Sequence, residues 1–328
     1  MIQNMIGKNF FDKFRPKMGV SACLRGENVR YNGGHCKSDF VQQLSEYFEY
    51  THVCPELEAG FGIPRPTMQL YDKGGETRLR FSDSKQDITE KMNGYIKKKV
   101  ILPELGQLSG FILKKGSPSC GVFRQKVYHE SGLPLRNDQG LFAKALQDQF
   151  PFLPMEDEGR LNDPQLRENF ITRVYAYYYW ENMEVETAGI GKLIHFHQIF
   201  KYRLMAHSPS SQKILGNIVA NAKADLAQSV LKYKELFFTT MNNFPNEKGH
   251  VNVLHHIFGY VSDFLDSFDK KELLDKFEDF RLGRAPLVIA LSQVNALARK
   301  HQDKYLLEQV YLNPHPVKLG LFNQIFKK

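Results

Sequence analysis

Apolar and polar positions follow two different rhythms along this chain. In the first half, short apolar runs stop at turn residues and alternate with amphipathic stretches. Residues 18–23 (MGVSAC), 50–54 (YTHVC) and 110–114 (GFILK) each predict a strand. Residues 68–70 and 78–81 predict a small β-pair across Lys73-Gly74-Gly75. Ser38 is placed to N-cap a helix carrying Phe40, Val41, Leu44 and Phe48. Further helices are predicted over 87–102, ended by Pro103, and over 141–150, ended by Pro151. Strand–helix alternation of this kind predicts an α/β domain with a Rossmann-like, mainly parallel sheet.

From about Pro164 the period becomes helical. Phe170, Val174, Tyr177 and Tyr178 fit one apolar face, and Val251, Leu254, Phe258 and Val261 fit another. Breaks at Ser208-Pro209, 243–249, 283–286 and 314–316 imply an all-α domain of seven or eight helices. The Pro-rich, acidic stretch 151–165 suits a boundary. The expected organisation is an N-terminal extension over 1–16, an α/β catalytic domain over 17–155, a linker over 156–165 and an all-α domain over 166–328. A length of 328 residues fits two domains at ~150 residues each.

Composition narrows the classes. With 42% hydrophobic and 24% charged residues, general disorder is excluded. No apolar run approaches the ~18 residues of a membrane span, and the first residues lack a secretory h-region. The expectation is a cytoplasmic protein with no membrane partner. Its four Cys are too few for a disulfide framework in so long a chain, so the thiols are free for chemistry. Of the net charge of +8, +6 falls within residues 1–155. A basic excess favours a polyanionic partner but does not require one.

Three Cys hold equivalent places. Cys23 ends the first predicted strand, Cys54 ends the second, and Cys120 follows the third after a Gly-Ser-Pro turn. Parallel strands would bring all three to one sheet edge, where such sheets bind ligands. Converging thiols invite a metal centre, although free Cys are commonly just small buried hydrophobes. The spacing does not choose the metal. Glu56, Ser117 and Ser119 lie beside the thiols. Glu56 is a candidate general base, or a helix cap or partner for Arg65; the serines are candidate donors to a developing anion, or turn formers. Arg25, Glu27, Asn28, Arg30 and Tyr31 follow Cys23. Cys36, His35 and His52 suit ordinary loop roles better than metal ligation. Gly60-Phe61-Gly62 lacks the third glycine of a dinucleotide fingerprint. Lys97-Lys98-Lys99 and Lys114-Lys115 are short basic clusters, either solvated or set for phosphates. The run 175–180 (YAYYYW) fits core packing better than a stacking platform for bases. The histidines of the second half show no ligand spacing.

The segments SACLRGENVRYNGGH (21–35), VCPELEAGFGIPRP (53–66) and KKGSPSCG (114–121) closely resemble the thiouracil desulfidase family. The helical half resembles the YbgA-type domain in LIHFHQIFKYRLMAHSP (193–209), HVNVLHHIFGYV (250–261) and YLLEQVYLNPHP (305–316). Their fusion resembles the bacterial tRNA 4-thiouridine desulfidases. The resemblance implies a 4Fe-4S cluster held by Cys23, Cys54 and Cys120, with one open iron for the substrate sulfur. It implies Glu56 as acid/base and Ser117 as an active-site hydroxyl, with Ser119 a close competitor. Cys36 falls outside the shared pattern. The implied activity is non-redox conversion of 4-thiouridine in thiolated tRNA to uridine with release of hydrosulfide. Ser119, Arg30, Tyr31, Lys114 and Lys115 are candidate substrate contacts, and no DNA partner is expected. The alternatives are a desulfidase of free thiouracil or its nucleotides, a non-enzymatic iron–sulfur redox sensor or RNA-binding module, and a three-Cys zinc hydrolase.

Overall fold

A computed structural model describes residues 15–321, so the extension expected over 1–16 lies almost wholly outside the described residues. The chain forms two compact units that part between Asp163 and Pro164.

The first unit is built on a four-stranded parallel sheet in the order β2-β1-β5-β8. Its strands are β1 (Lys17–Ser21), β2 (Glu49–Val53), β5 (Gly110–Leu113) and β8 (Met155–Asp157). β1 lies between β2 and β5 and buries four of its five residues. Gly19 permits the closest approach in this sheet: a Cβ there would lie 2.3 Å from the Phe111 ring. Phe111 in turn meets Phe142 edge-on at 5.9 Å. Phe142 belongs to α5 (Leu141–Gln149), one of the helices of this unit with α1 (Asp39–Gln43), α2 (Pro55–Glu58), α3 (Thr89–Lys99) and α4 (Pro103–Gly106). Ser38 caps α1 as expected, its Oγ accepting from Val41 N.

Several boundaries differ from the expectation. β1 stops at Ser21, whose Oγ accepts from Lys114 N at 3.0 Å, and Cys23 sits in a 3-10 turn (Ala22–Arg25) closed by Gly26 at φ 96°. α3 starts two residues late because Asp87 stays outside it, accepting from Thr89 N at 2.9 Å and pairing with Arg78 at 2.8 Å. The expected β-pair is a hairpin of β3 (Met68–Lys73) and β4 (Glu76–Phe81), but it belongs to a second sheet, β4-β3-β6-β7. β6 (Gln125–Tyr128) and β7 (Pro134–Asp138) have too few apolar positions to stand out as strands. The start of the expected linker is sheet: Glu156 and Asp157 are buried in β8, with Asp157 accepting from Val122 N and Glu156 pairing with Arg160.

The second unit is helical: α6 (Pro164–Asn182), α7 (Ile190–His207), α8 (Pro209–Asn221), α9 (Leu226–Asn242), α10 (Glu247–Val261), α11 (Ser267–Arg281), α12 (Leu287–Lys300) and α13 (Lys304–Leu307). The aromatic run of α6 is core: Tyr175, Tyr179 and Trp180 are buried, and Trp180 packs on Phe196, Tyr233 and Phe238. Deep in this unit Arg203 donates to Glu168 at 2.8 Å, and Thr172 Oγ1 donates to the same oxygen at 3.0 Å. His315 Nε2 lies 3.9 Å from that oxygen, and His250 shares a 3.0 Å hydrogen bond with the Tyr311 hydroxyl. Burial and the nearby Arg203 charge hold His250 down to about 3, and burial with Arg203 holds His315 down to about 4 although Glu168 opposes this. For Glu168 burial pushes upward but the Arg203 charge prevails, and its carboxyl lies below its ordinary value.

Two outcomes are expected. Glu168→Gln leaves a buried guanidinium without its counter-charge and should destabilise the helical unit by about 3–5 kcal/mol, read from urea unfolding by the fluorescence of Trp180, the sole Trp of the chain. The unfolded histidines protonate near pH ~6.5 while their folded counterparts resist charge down to about 3–4. The unfolded state therefore binds more protons in that window, and stability should fall as pH falls through it. Titration of unfolding free energy from pH 7 to 4 checks the sign, and His315→Gln should make the slope shallower.

Candidate active site

Three loops leave the carboxyl ends of β1, β2 and β5 at one edge of the parallel sheet. Together they line a cleft of about 260 Å³ that receives Cys23, Cys54 and Cys120. The structure thus brings together the three thiols that sequence placed at strand ends. Cys23 and Cys120 are buried and Cys54 is half-buried.

Each thiol is held by its own local chemistry. Cys54 is the N-cap residue of α2, with Pro55 in the first turn, where a missing N–H costs nothing. Its N–H donates to Glu58 Oε1 at 2.8 Å. Glu58 also accepts from the Tyr95 hydroxyl at 2.8 Å and pairs with Lys99 at 3.1 Å, so α3 braces the Cys54 turn. Cys120 donates its N–H to Ser117 Oγ at 3.1 Å, and Gly121 N closes the turn on Ser117 O at 2.9 Å. The start of α5 seats on this turn, with Phe142 N donating to Ser119 O at 2.9 Å. Gly140 makes that contact possible, because a Cβ there would stand 2.6 Å from the Ser119 backbone.

Burial pushes the Cys23 thiol up to about 12, and the thiols of Cys54 and Cys120 are raised for the same reason. Among the described residues, no three His, Cys, Asp or Glu side chains gather closely enough for a single metal ion. The thiols instead ring a cleft. An all-sulfur donor set of this kind fits a soft, multi-iron group, with Cys23, Cys54 and Cys120 as the residues that would hold it.

Glu56 stands beside them and is gripped from two sides. Arg65 Nε and Nη2 both donate to Oε2, at 3.0 and 2.6 Å. Ser119 Oγ donates to Oε1 at 2.7 Å, and Ser117 Oγ lies 3.3 Å from the same oxygen. The two hydroxyls are 2.9 Å apart. Glu56 is thus a partner of Arg65, and its other oxygen faces the two serines. The buried Arg65 also donates to the carbonyls of Gly62 and Val29, each at 3.0 Å. It thereby ties the loop after β1 to the loop after β2. In the sequence Arg65 stands out only as a partner for Glu56; its place between Pro64 and Pro66 is the one signal of a rigid, buried role.

The remaining candidates are divided. Arg30, Tyr31, Lys114 and Lys115 line the same cleft. Lys114 Nζ pairs with Glu158, whose other oxygen accepts from Lys115 N at 2.6 Å. The Arg30 guanidinium lies over the Tyr31 ring, 5.4 Å from its centre. Cys36 is not part of the cleft lining, and its N–H donates to Cys23 O at 2.9 Å. His52 pairs with Glu27, and His35 Nδ1 accepts from Lys37 N at 3.2 Å. Lys99 is engaged by Glu58 and Glu104, while Lys97 and Lys98 are exposed.

Comparison with known proteins adds to this geometry. A family model described as 2-thiouracil desulfurase matches residues 18–158, and one described as a protein of unknown function, DUF1722, matches residues 201–316. The uncharacterized protein YbbK of Bacillus subtilis (strain 168) is 37% identical over 108 residues, covering 31% of this chain and 71% of YbbK. The uncharacterized protein YbgA of Escherichia coli (strain K12) is 23% identical over 163 residues, covering 49% of this chain and 96% of YbgA. Among solved structures, the 4Fe-4S-dependent thiouracil desulfidase TudS is 26% identical and covers 45% of this chain and 94% of its own, with a TM-score of 0.37.

Arg65 is the residue on which this arrangement is most exposed to test. Arg65→Ala leaves Glu56 without its counter-charge and two carbonyls without donors, which should destabilise the first unit by about 3–5 kcal/mol. Hydrogen exchange over residues 15–163 should rise while that of the helical unit stays unchanged.

Proposed function

The chain belongs to the 2-thiouracil desulfurase family through its first unit, and from that premise we propose that it is an iron–sulfur-dependent, non-redox desulfidase converting 4-thiouridine in tRNA to uridine. The observation that carries the proposal is the convergence of three thiols with Glu56 and Ser119 in one cleft. In this reading Cys23, Cys54 and Cys120 would hold a 4Fe-4S cluster. The bound cluster supplies a soft Lewis acid for a thiocarbonyl sulfur.

The chain's own groups do the rest. Arg65 holds Glu56 Oε2 and turns Oε1 towards the serines. Oε1 takes the proton from a water that attacks C4 of the base. Ser119, the nearer hydroxyl, fixes Oε1, and Ser117 follows through its bond to Ser119. A C–O bond forms, the C–S bond breaks, and sulfur leaves as hydrosulfide, so no electrons are exchanged with a redox partner.

The tRNA substrate is supported by the +6 charge of residues 1–155 and by Arg30 and Lys115 at the cleft. The target base must be exposed or flipped to enter. We assign the helical unit to holding the tRNA body, and the protein to the cytoplasm; no helix among the described residues is long and apolar enough to cross a membrane. One observation favours a second reading, a desulfidase of free thiouracil or its nucleotides: Glu158 already neutralises Lys114.

Anaerobically reconstituted protein should remove 4-thiouridine from thiolated tRNA, with uridine and sulfide appearing in equal amounts. Turnover of 4-thiouracil with tRNA untouched would replace the first reading by the second. Cys23→Ala, Cys54→Ala and Cys120→Ala should each lose iron and turnover together. Glu56→Gln should keep its iron and lose about 10²–10⁴-fold in kcat; full activity would remove Glu56 from the role of base. tRNA binding should weaken steeply with salt if phosphates lead recognition.

A further inference from the structure

Cys36 is the one thiol that the proposed chemistry does not use, yet it is not an isolated one. Its N–H donates to Cys23 O at 2.9 Å, and two residues on Ser38 N donates to Leu24 O at 3.0 Å. The segment carrying Cys36 is therefore laid along the turn carrying Cys23. A direct backbone bond at 2.9 Å sets the two residues side by side, the proximity that a disulfide needs. Cys36 is half-buried and Cys23 is buried, so an oxidant meets Cys36 first. Cys23 lines the cleft and Cys36 does not.

We propose that Cys36 and Cys23 form a reversible disulfide when the cluster is absent, a modification that withdraws one ligand thiol from the cleft and guards it against irreversible oxidation. This rests on the reading of Cys23 as a cluster ligand for its consequence, though not for its chemistry. Hydrogen peroxide supplies the oxidation. The Cys36 sulfur gives up two electrons and becomes a sulfenic acid as one water leaves. The Cys23 sulfur attacks it, the S–S bond forms, and the second water departs with the Cys23 proton. A dithiol reductant returns both electrons and both protons and is itself oxidised to a disulfide.

The full chain, stripped of metal under anaerobic conditions, is exposed to equimolar hydrogen peroxide, alkylated and digested with trypsin. Cleavage after Lys and Arg puts Cys23 in the peptide 18–25 and Cys36 in the peptide 31–37. The expected product is these two peptides joined, with Cys54 and Cys120 alkylated. The oxidised protein should take up no iron on reconstitution until a dithiol is added, as measured by iron content and absorbance. Cys36→Ser should take up iron normally when reduced. After at least two further equivalents of peroxide per chain, which the thiol-to-sulfinic step consumes, it should carry sulfinic acid at Cys23 and fail to recover iron with dithiol. A linked peptide containing Cys54 or Cys120, or a Cys36 that remains fully alkylated, overturns the proposal. So does an altered cluster spectrum in reduced Cys36→Ser, which would make Cys36 a ligand. If the disulfide forms as mapped but the reduced wild-type chain takes up no iron, the cluster reading fails while the disulfide stands.

Discussion

The parallel register of β1 between β2 and β5 is the constraint on which the first unit depends. Pairing of Ser21 with Val53 and of Val20 with Ile112 ends all three strands level. The loops that follow must then share one edge, whatever their sequence separation. That pairing requires a residue without a side chain at position 19, because the Phe111 ring occupies the space above it. Phe111 and Phe142 then place the start of α5, which seats on the Cys120 turn. A glycine in the middle of a strand is normally a cost in conformational entropy; here it sets the distance between the sheet and the helix that shapes the cleft.

Within the cleft, order comes from polar groups shared between loops and not from any one loop alone. The Val29 carbonyl accepts from Arg65 and lies 3.8 Å from the Cys54 sulfur. Glu58 reaches from α2 to α3, and Glu58 is also what fixes the Cys54 amide. Asp157, from the strand expected to be linker, holds Val122 just beyond Cys120. Burial, with the neighbouring charges of Glu158 and Glu156, raises the Asp157 carboxyl to about 6 against the pull of the amides it accepts from. Such shared contacts preset the loop positions, and preset positions are what a site needs if it is to orient a substrate atom to within a fraction of an ångström.

The sequence made some of this legible. Apolar runs of four to six residues marked β1, β2 and β5, and the Cys residues at their ends foretold a common mouth. The helical period marked the second unit, and the burial of Tyr175, Tyr179 and Trp180 follows from it. What was hidden is physical in kind. β7 has no buried residue, so it carries no alternation to detect. β8 buries two carboxylates, which in a sequence look like solvent-facing charge until their partners are known. Arg65 and Glu158 act through contacts with residues 9 and 44 positions away. No local pattern encodes those pairs, because they depend on the loops having already come together.

The helical unit solves the opposite problem. Its core is rich in aromatic and aliphatic side chains that could pack in many nearly equivalent ways. Into that core it places one ion pair, Arg203 with Glu168, at 2.8 Å. Such a pair adds little net stability over a hydrophobic substitute, since desolvation offsets the attraction. Its effect is to discriminate. This register of α6 against α7 gives each charge its counter-charge, and the hydroxyl of Thr172 and the ring of His315 gather around the same carboxylate. His315 brings with it the chain beyond α13, whose Val310 N–H donates to Ile199 O on α7 at 2.9 Å. A mispacked bundle would bury an unpaired guanidinium. The cost of that error weighs against such packings more than the strength of the pair favours this one.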